Sequence, residues 1–271
     1  MSGPFTEAFK TTGDTTLNLY GFRPDVPGDE AGFAAIVFFF SGGWRGFDHT
    51  KHYRQSAYLA SRGMVCLNAE VRVEPIHGTP RETCVIDARS AIRYVRANAE
   101  SLDVDPNRIA ASGGSAAGCV SACCGIVPGY EEEEEDLSVS SKPDALVLFN
   151  PGLDRLNDRG VEMFGSLEKA RTLSPTHHVK SGNPPAVVLH GKEDELLPVE
   201  EMLQFQKTMQ EAGNRCDVHL YDGAAHGFYN RDPWFSETLK ETDRFLTSMG
   251  YLEGEEEVDS FTFDDSLVES A

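Results

Sequence analysis

Residues 108–118 read RIAASGGSAAG, and their order decides the fold. A short apolar strand candidate, 108–112, runs into Gly113, Gly114 and Ser115, then into small residues suited to a helix. A serine on so tight a strand-to-helix turn needs small neighbours, because the backbone is strained there and lies close to the next element. The turn also lifts Oγ out of the sheet toward solvent. Read alone, the stretch equally fits an ordinary turn or a phosphate-cradling loop.

Outward from it the chain repeats one pattern. Residues 34–40 (AAIVFFF) form an unbroken apolar run ending in Ser41-Gly42-Gly43, which reads as a strand buried on both faces, a parallel-sheet signature. Residues 64–69, 145–149, 186–190 and 217–221 are further strand candidates separated by helical stretches. The clearest helix puts Cys84, Ala88, Ala91, Ile92 and Val95 on one face, with Arg89, Arg93 and Arg96 mostly at other angles. A second, 236–249, closes the domain through Leu239, Phe245 and Leu246. Such alternation predicts an α/β fold with a mostly parallel central sheet.

The length, 271 residues, suits one large α/β domain, assigned to 1–251, with edge strands and turns in the first 30 residues. Three stretches break the alternation. Residues 131–136 are six consecutive acids, read as a solvated loop, with a cation or partner site as the alternative. Residues 152–185 are a long excursion, placed where a small cap over a site is commonly inserted. Residues 252–271 form an acidic tail expected to be disordered, although Phe261 and Phe263 could dock on a groove or a second subunit.

Charge narrows the partners. Asp and Glu number 44 against 24 Lys and Arg, a net −20; without the fourteen acids of 131–136 and 252–271 it is −6. That field repels phosphate backbones and anionic lipid, so neither nucleic acid nor a membrane surface is an expected partner. No run approaches the roughly 20 apolar residues that span a bilayer, and the start MSGPFTEAFK lacks the layout of a secretory signal. A cytoplasmic chain is expected, with Cys66, Cys84, Cys119, Cys123, Cys124 and Cys216 as buried thiols rather than disulfides.

A serine is a weak nucleophile until a base takes its proton, and the base needs a carboxylate to fix its tautomer. Both follow in the order the chemistry requires, each just past a predicted strand. Residues 190–198 (HGKEDELLP) offer Asp194, and 223–228 (GAAHGF) offer His226. Asp194 also fits a helix N-cap, with Glu193 and Glu195 as rival carboxylates. A lone loop histidine is commonly surface decoration. His49 and His52, at i and i+3, could share a metal, but no further ligands stand at metal spacing. His177 and His178 suit cap or surface roles.

The segments GGSAAG, HGKEDELLP and GAAHGF resemble the Ser, Asp and His segments of the α/β-hydrolase superfamily, in its hormone-sensitive-lipase-like branch. The similarity is to bacterial acetyl esterases and to feruloyl and xylan esterases, over roughly residues 34–230. The resemblance implies the three-layer fold with helices on both faces of the sheet, a Ser115–His226–Asp194 triad, and an oxyanion hole from the amide of Ala116 with those of Gly42 and Gly43. Relatives commonly read HGGGW where this chain has Phe40-Ser41-Gly42-Gly43-Trp44. Ser41 therefore stands as an extra hydroxyl donor or a narrower pocket wall. Trp44 would wall the acyl pocket, stack on a sugar or pack plainly, and His77 would stand near the site's mouth. The implied activity is a serine esterase acting on short acyl groups, acetyl above all, of a small-molecule or oligosaccharide ester. An acyl-enzyme route needs no metal or organic cofactor. The rivals are a serine peptidase related to prolyl oligopeptidase, which usually carries an additional domain, and a non-catalytic binding protein on the same fold. Self-association into a homodimer is compatible with the sequence.

Overall fold

In the computed structural model, which describes residues 4–26, 31–40 and 42–269, the apolar runs assemble into one eight-stranded sheet. Its strands are β1 (Phe5–Thr12), β2 (Thr15–Phe22), β3 (Phe33–Phe39), β4 (Val65–Ala69), β5 (Val104–Gly114), β6 (Ala145–Phe149), β7 (Ala186–Gly191) and β8 (Cys216–Tyr221). The order across the sheet is β1-β2-β4-β3-β5-β6-β7-β8. β2 runs antiparallel to β1 and β4, and every other neighbour pair is parallel. The chain goes one way from β3 to β4 and returns past it to β5. That reversal opens a crevice beyond the carboxyl ends of β3 and β5, the usual ligand position in such sheets.

The helices are α1 (Tyr53–Ser61), α2 (Glu74–His77), α3 (Thr83–Ala97), α4 (Ala99–Leu102), α5 (Ala116–Ile126), α6 (Asp158–Phe164), α7 (Leu167–Thr172), α8 (Val199–Glu211), α9 (Trp234–Ser248) and α10 (Ser266–Glu269). Strand residues alternate between two cores, as the pleat dictates. Ala35, Val37 and Phe39 of β3 pack with α3, α5 and α8. Ile36 and Phe38 pack with α1 and α9 on the other face. All six cysteines are buried free thiols.

Two expectations are corrected. The acidic run is not wholly solvated, because Arg89 and Arg93, one turn apart on α3, are buried beneath it. Glu131 pairs with both arginines and Glu135 with Arg93, while Glu132 reaches Lys10 at 2.7 Å; Glu133, Glu134 and Asp136 face water. The tail beyond residue 251 is anchored rather than loose. Leu252 and Val258 are buried against the α1/α9 core, and Phe261 meets Tyr58 edge-on at 5.3 Å. The Tyr58 hydroxyl accepts from Glu257 N at 3.0 Å and donates to Asp243 at 2.7 Å.

Burial pushes the Glu131 carboxyl up, but Arg93, Arg89 and Ser141 outweigh it and hold the group below the usual carboxylate range. A depressed folded value stabilises above the unfolded pKa, about 4.3, and the benefit disappears as pH falls through the folded value. Glu131→Gln is therefore expected to cost about 1–3 kcal/mol at neutral pH. Urea unfolding should show the gap to the parent closing toward pH 3; a gap independent of pH would contradict this pairing.

Candidate active site

β5 ends at Gly114 and α5 begins at Ala116, so Ser115 alone makes the turn, at φ 57° and ψ −116°. An L-residue there stores about 1–3 kcal/mol of strain and persists only where its surroundings hold it. Ser115 N donates to Phe149 O at 2.9 Å, and Ser115 O accepts from Cys119 N at 3.1 Å. Small neighbours are a packing requirement. A Cβ on Gly114 would lie 2.1 Å from the Tyr229 hydroxyl, and one on Gly118 would lie 2.9 Å from Pro151.

β7 and β8 deliver the other two groups, in loops laced by Lys192 N to Tyr221 O at 2.9 Å and Glu193 N to Ala224 O at 3.0 Å. Ser115 Oγ lies 2.9 Å from His226 Nε2, and His226 Nδ1 lies 2.8 Å from Asp194 Oδ2. Asp194 Oδ1 accepts from the N–H groups of Leu196 at 2.9 Å and Leu197 at 3.0 Å. Burial pushes the Asp194 carboxyl up, but the bond to His226 and the two amides outweigh it and keep it below the usual range. With an ionised acceptor at Nδ1, the neutral ring carries its proton there and turns the Nε2 lone pair to the hydroxyl. Glu193 and Glu195, the rival acids, are exposed.

The cavity beside Ser115 measures about 20 Å³, where one water needs roughly 10–15 Å³. Gly43, Trp44 and Ala116 form part of its wall, and Arg155, Arg159 and Met163 of the 152–185 excursion form another part. Ala116 N is the first amide of α5, among the amides that a helix leaves without an internal partner. Gly43 turns at φ 59°. Gly42 is exposed and outside this wall, its carbonyl accepting from Arg45 and Gly46. Ser41 lies outside the described residues.

One reading narrows and another changes. Trp44 is buried and packs edge-on against Phe164 at 5.5 Å, so it walls the cavity and offers no face for a sugar to stack on. His77 is not in the cavity wall: its Nδ1 accepts from Val73 N at 3.0 Å, capping the short helix that carries it. His49 and His52 diverge. His49 stacks on Tyr20 at 3.9 Å, while His52 is buried between Phe38 and Tyr229, and that burial lowers its pKa to about 4. His177 and His178 likewise turn to different partners, Asp154 and the Arg171 carbonyl.

Three contributors escape sequence reasoning. Asn150 Nδ2 is 3.4 Å from His226 Nδ1 and 3.5 Å from Nε2, so the amide lies on the face of the ring rather than in its plane. Arg155 and Arg159 stand in a stretch marked only by its length. Arg155 precedes the helix that carries Arg159, so no helical spacing marks the two as sharing a side.

Residues 24–147 match the family described as BD-FAE, and residues 147–252 match the dienelactone hydrolase family. The chain is similar to the solved structure of Thermogutta terrifontis esterase 2 phosphoramylated by tabun, at 39% identity and TM-score 0.88 over 94% of this chain and 98% of that one. It is similar to the propionate-bound esterase of that species at 38% identity and TM-score 0.87, over 93% and 97% of the two chains. Among curated proteins it is 32% identical to esterase LipC of Mycobacterium tuberculosis over 76% of this chain and 55% of that protein. It is 27% identical to the acetylxylan esterase of Xylanibacter ruminicola over 88% of this chain and 48% of that protein. The chain spans about half the length of the curated relatives it matches. No helix among the described residues is long and apolar enough to cross a membrane.

Proposed function

The chain belongs to the α/β-hydrolase esterases of the hormone-sensitive-lipase-like type, and on that premise we propose that it cleaves short-chain carboxylic esters, acetyl-type above all, on a carbohydrate alcohol. The observation that carries the reading is the series of contacts from Ser115 Oγ to His226 Nε2, 2.9 Å, and from His226 Nδ1 to Asp194 Oδ2, 2.8 Å. Ser115 Oγ attacks the ester carbonyl while His226 Nε2 takes its proton, and Asp194 stabilises the imidazolium that forms. The amides of Ala116 and Gly43 receive the developing oxyanion, a role worth about 10²- to 10³-fold in rate for a single donor. His226 then returns the proton to the leaving alcohol. Water, deprotonated by the same imidazole, attacks the acyl-serine and releases the acid.

The similarity to the propionate-bound Thermogutta esterase supports a short acyl group. The carbohydrate alcohol rests on the resemblance to the acetylxylan esterase. A panel of 4-nitrophenyl esters from acetate to octanoate, run beside acetylated xylo-oligosaccharides, tests both halves. Acetate to butyrate should exceed octanoate by about tenfold or more in kcat/KM, with acetate released from the oligosaccharides. Rates that climb with chain length would make the protein a lipase instead.

A further inference from the structure

Arg155 and Arg159 take no part in the reaction just derived, yet both line the cavity at Ser115. In a chain of net charge −20 that is unexpected. The far larger cleft bounded by Asp243, Glu255 and Glu256 is acidic, whereas among the described residues no Asp or Glu lines this one.

Arg155 is only 5% exposed, and its Nε is buried without a hydrogen-bond partner. The acid whose field it feels, Glu201, has one oxygen occupied by the N–H groups of Leu153 and Asp154. The Cys119 thiol is a further neighbour, on which the guanidinium acts both as a charge and as a hydrogen-bond donor. Gly152 leaves the space that the guanidinium fills, for a Cβ there would stand 1.5 Å from Nη2. Arg159, exposed at the rim, reaches Leu196 O at 3.4 Å.

A guanidinium this far from water gains most from an anionic acceptor, and beyond the field of Glu201 the residues lining the cavity supply none. Building on the serine-esterase reading above, we propose that Arg155, assisted by Arg159, selects esters that carry a carboxylate close to the scissile bond, on the acyl or the alcohol side. The planar fork of an arginine accepts a carboxylate through two parallel hydrogen bonds. A neutral ester leaves the buried Nε donor without an anionic partner. The exposed Arg159 side chain stands at the rim, where the extra group would enter.

Two matched pairs separate the sources of the anion. Monoethyl succinate against ethyl butyrate, followed by pH-stat, places the charge in the acyl arm; 4-acetoxybenzoate against 4-acetoxybenzamide places it in the alcohol arm. In at least one arm the parent should favour the anion by about 10- to 100-fold in kcat/KM. Arg155→Gln should collapse that ratio toward one, Arg155→Lys should keep part of it, and Arg159→Gln should reduce it by a smaller factor. Taking the ratio within each variant cancels any general loss of activity. Neutral esters turned over with no preference in either arm, or a ratio unmoved in both glutamine variants, would overturn the assignment and leave the esterase reading standing. Turnover of neither member of any pair would sink both. If Arg155→Gln does not fold, the parent ratio and Arg159→Gln decide the matter.

Discussion

Ser115→Ala should lower kcat for 4-nitrophenyl acetate by about 10⁴- to 10⁶-fold, because the substitution removes the one hydroxyl oxygen that, among the described residues, faces His226 Nε2 and can form the acyl-enzyme. Oγ is the group that His226 Nε2 faces at 2.9 Å, and nothing else at the turn can receive the acyl group. Water attack assisted by the oxyanion amides accounts for the residual rate. A methyl group fits where the hydroxymethyl group was, and the turn's backbone bonds, Ser115 N to Phe149 O and Cys119 N to Ser115 O, use no side-chain atom. The thermal midpoint should therefore stay near the parent's, separating lost chemistry from lost fold. Near-parent activity in the Ser115→Ala protein would place the nucleophile elsewhere.

The second large effect is at Asp194, where asparagine should cost about 10⁴-fold in kcat. The two carboxylate oxygens have separate tasks: Oδ1 takes the amides of Leu196 and Leu197, and Oδ2 takes His226 Nδ1. All three partners donate, so an amide cannot satisfy them together. With its oxygen on the two backbone amides, asparagine turns NH₂ to Nδ1. The ring then moves its proton to Nε2, where it can no longer accept from Ser115. Glu193→Gln and Glu195→Gln, at exposed positions, should change kcat little. A larger loss at either glutamate than at Asp194 would transfer the carboxylate role to that residue.

The parallel strands are legible in the sequence because burial on both faces leaves unbroken apolar runs with sharp ends. The run 145–149 coincides with β6 to the residue, and 186–190 falls one short of β7. β5 starts earlier than its apolar run, at Val104, because Val104 pairs with Phe33 across an irregularity that hydrophobicity does not mark. Ser115, Asp194 and His226 can be found because each sits in the turn or loop that follows a strand, where parallel order brings distant loops to one rim. Readings made from one segment in isolation fail. The acids at 131–136 repel one another on paper, yet Arg89 and Arg93 lie beneath them in space. The tail looks too acidic to pack, but its few apolar residues meet α1 and α9. The placement of His77 at the site's mouth rests on resemblance alone, and its ring caps its own helix. A sequence cannot say that the guanidinium of Arg155 is withdrawn from water, since that depends on Gly152 leaving room for it.

Covalent capture tests the central claim most directly. The protein is treated with a fluorophosphonate and digested, and the modified peptides are sequenced by mass spectrometry. One adduct, on the peptide that holds Ser115, abolished by Ser115→Ala and formed in step with loss of esterase activity, is the predicted result. Full activity with no adduct, or an inactivating adduct on a different side chain, would contradict it.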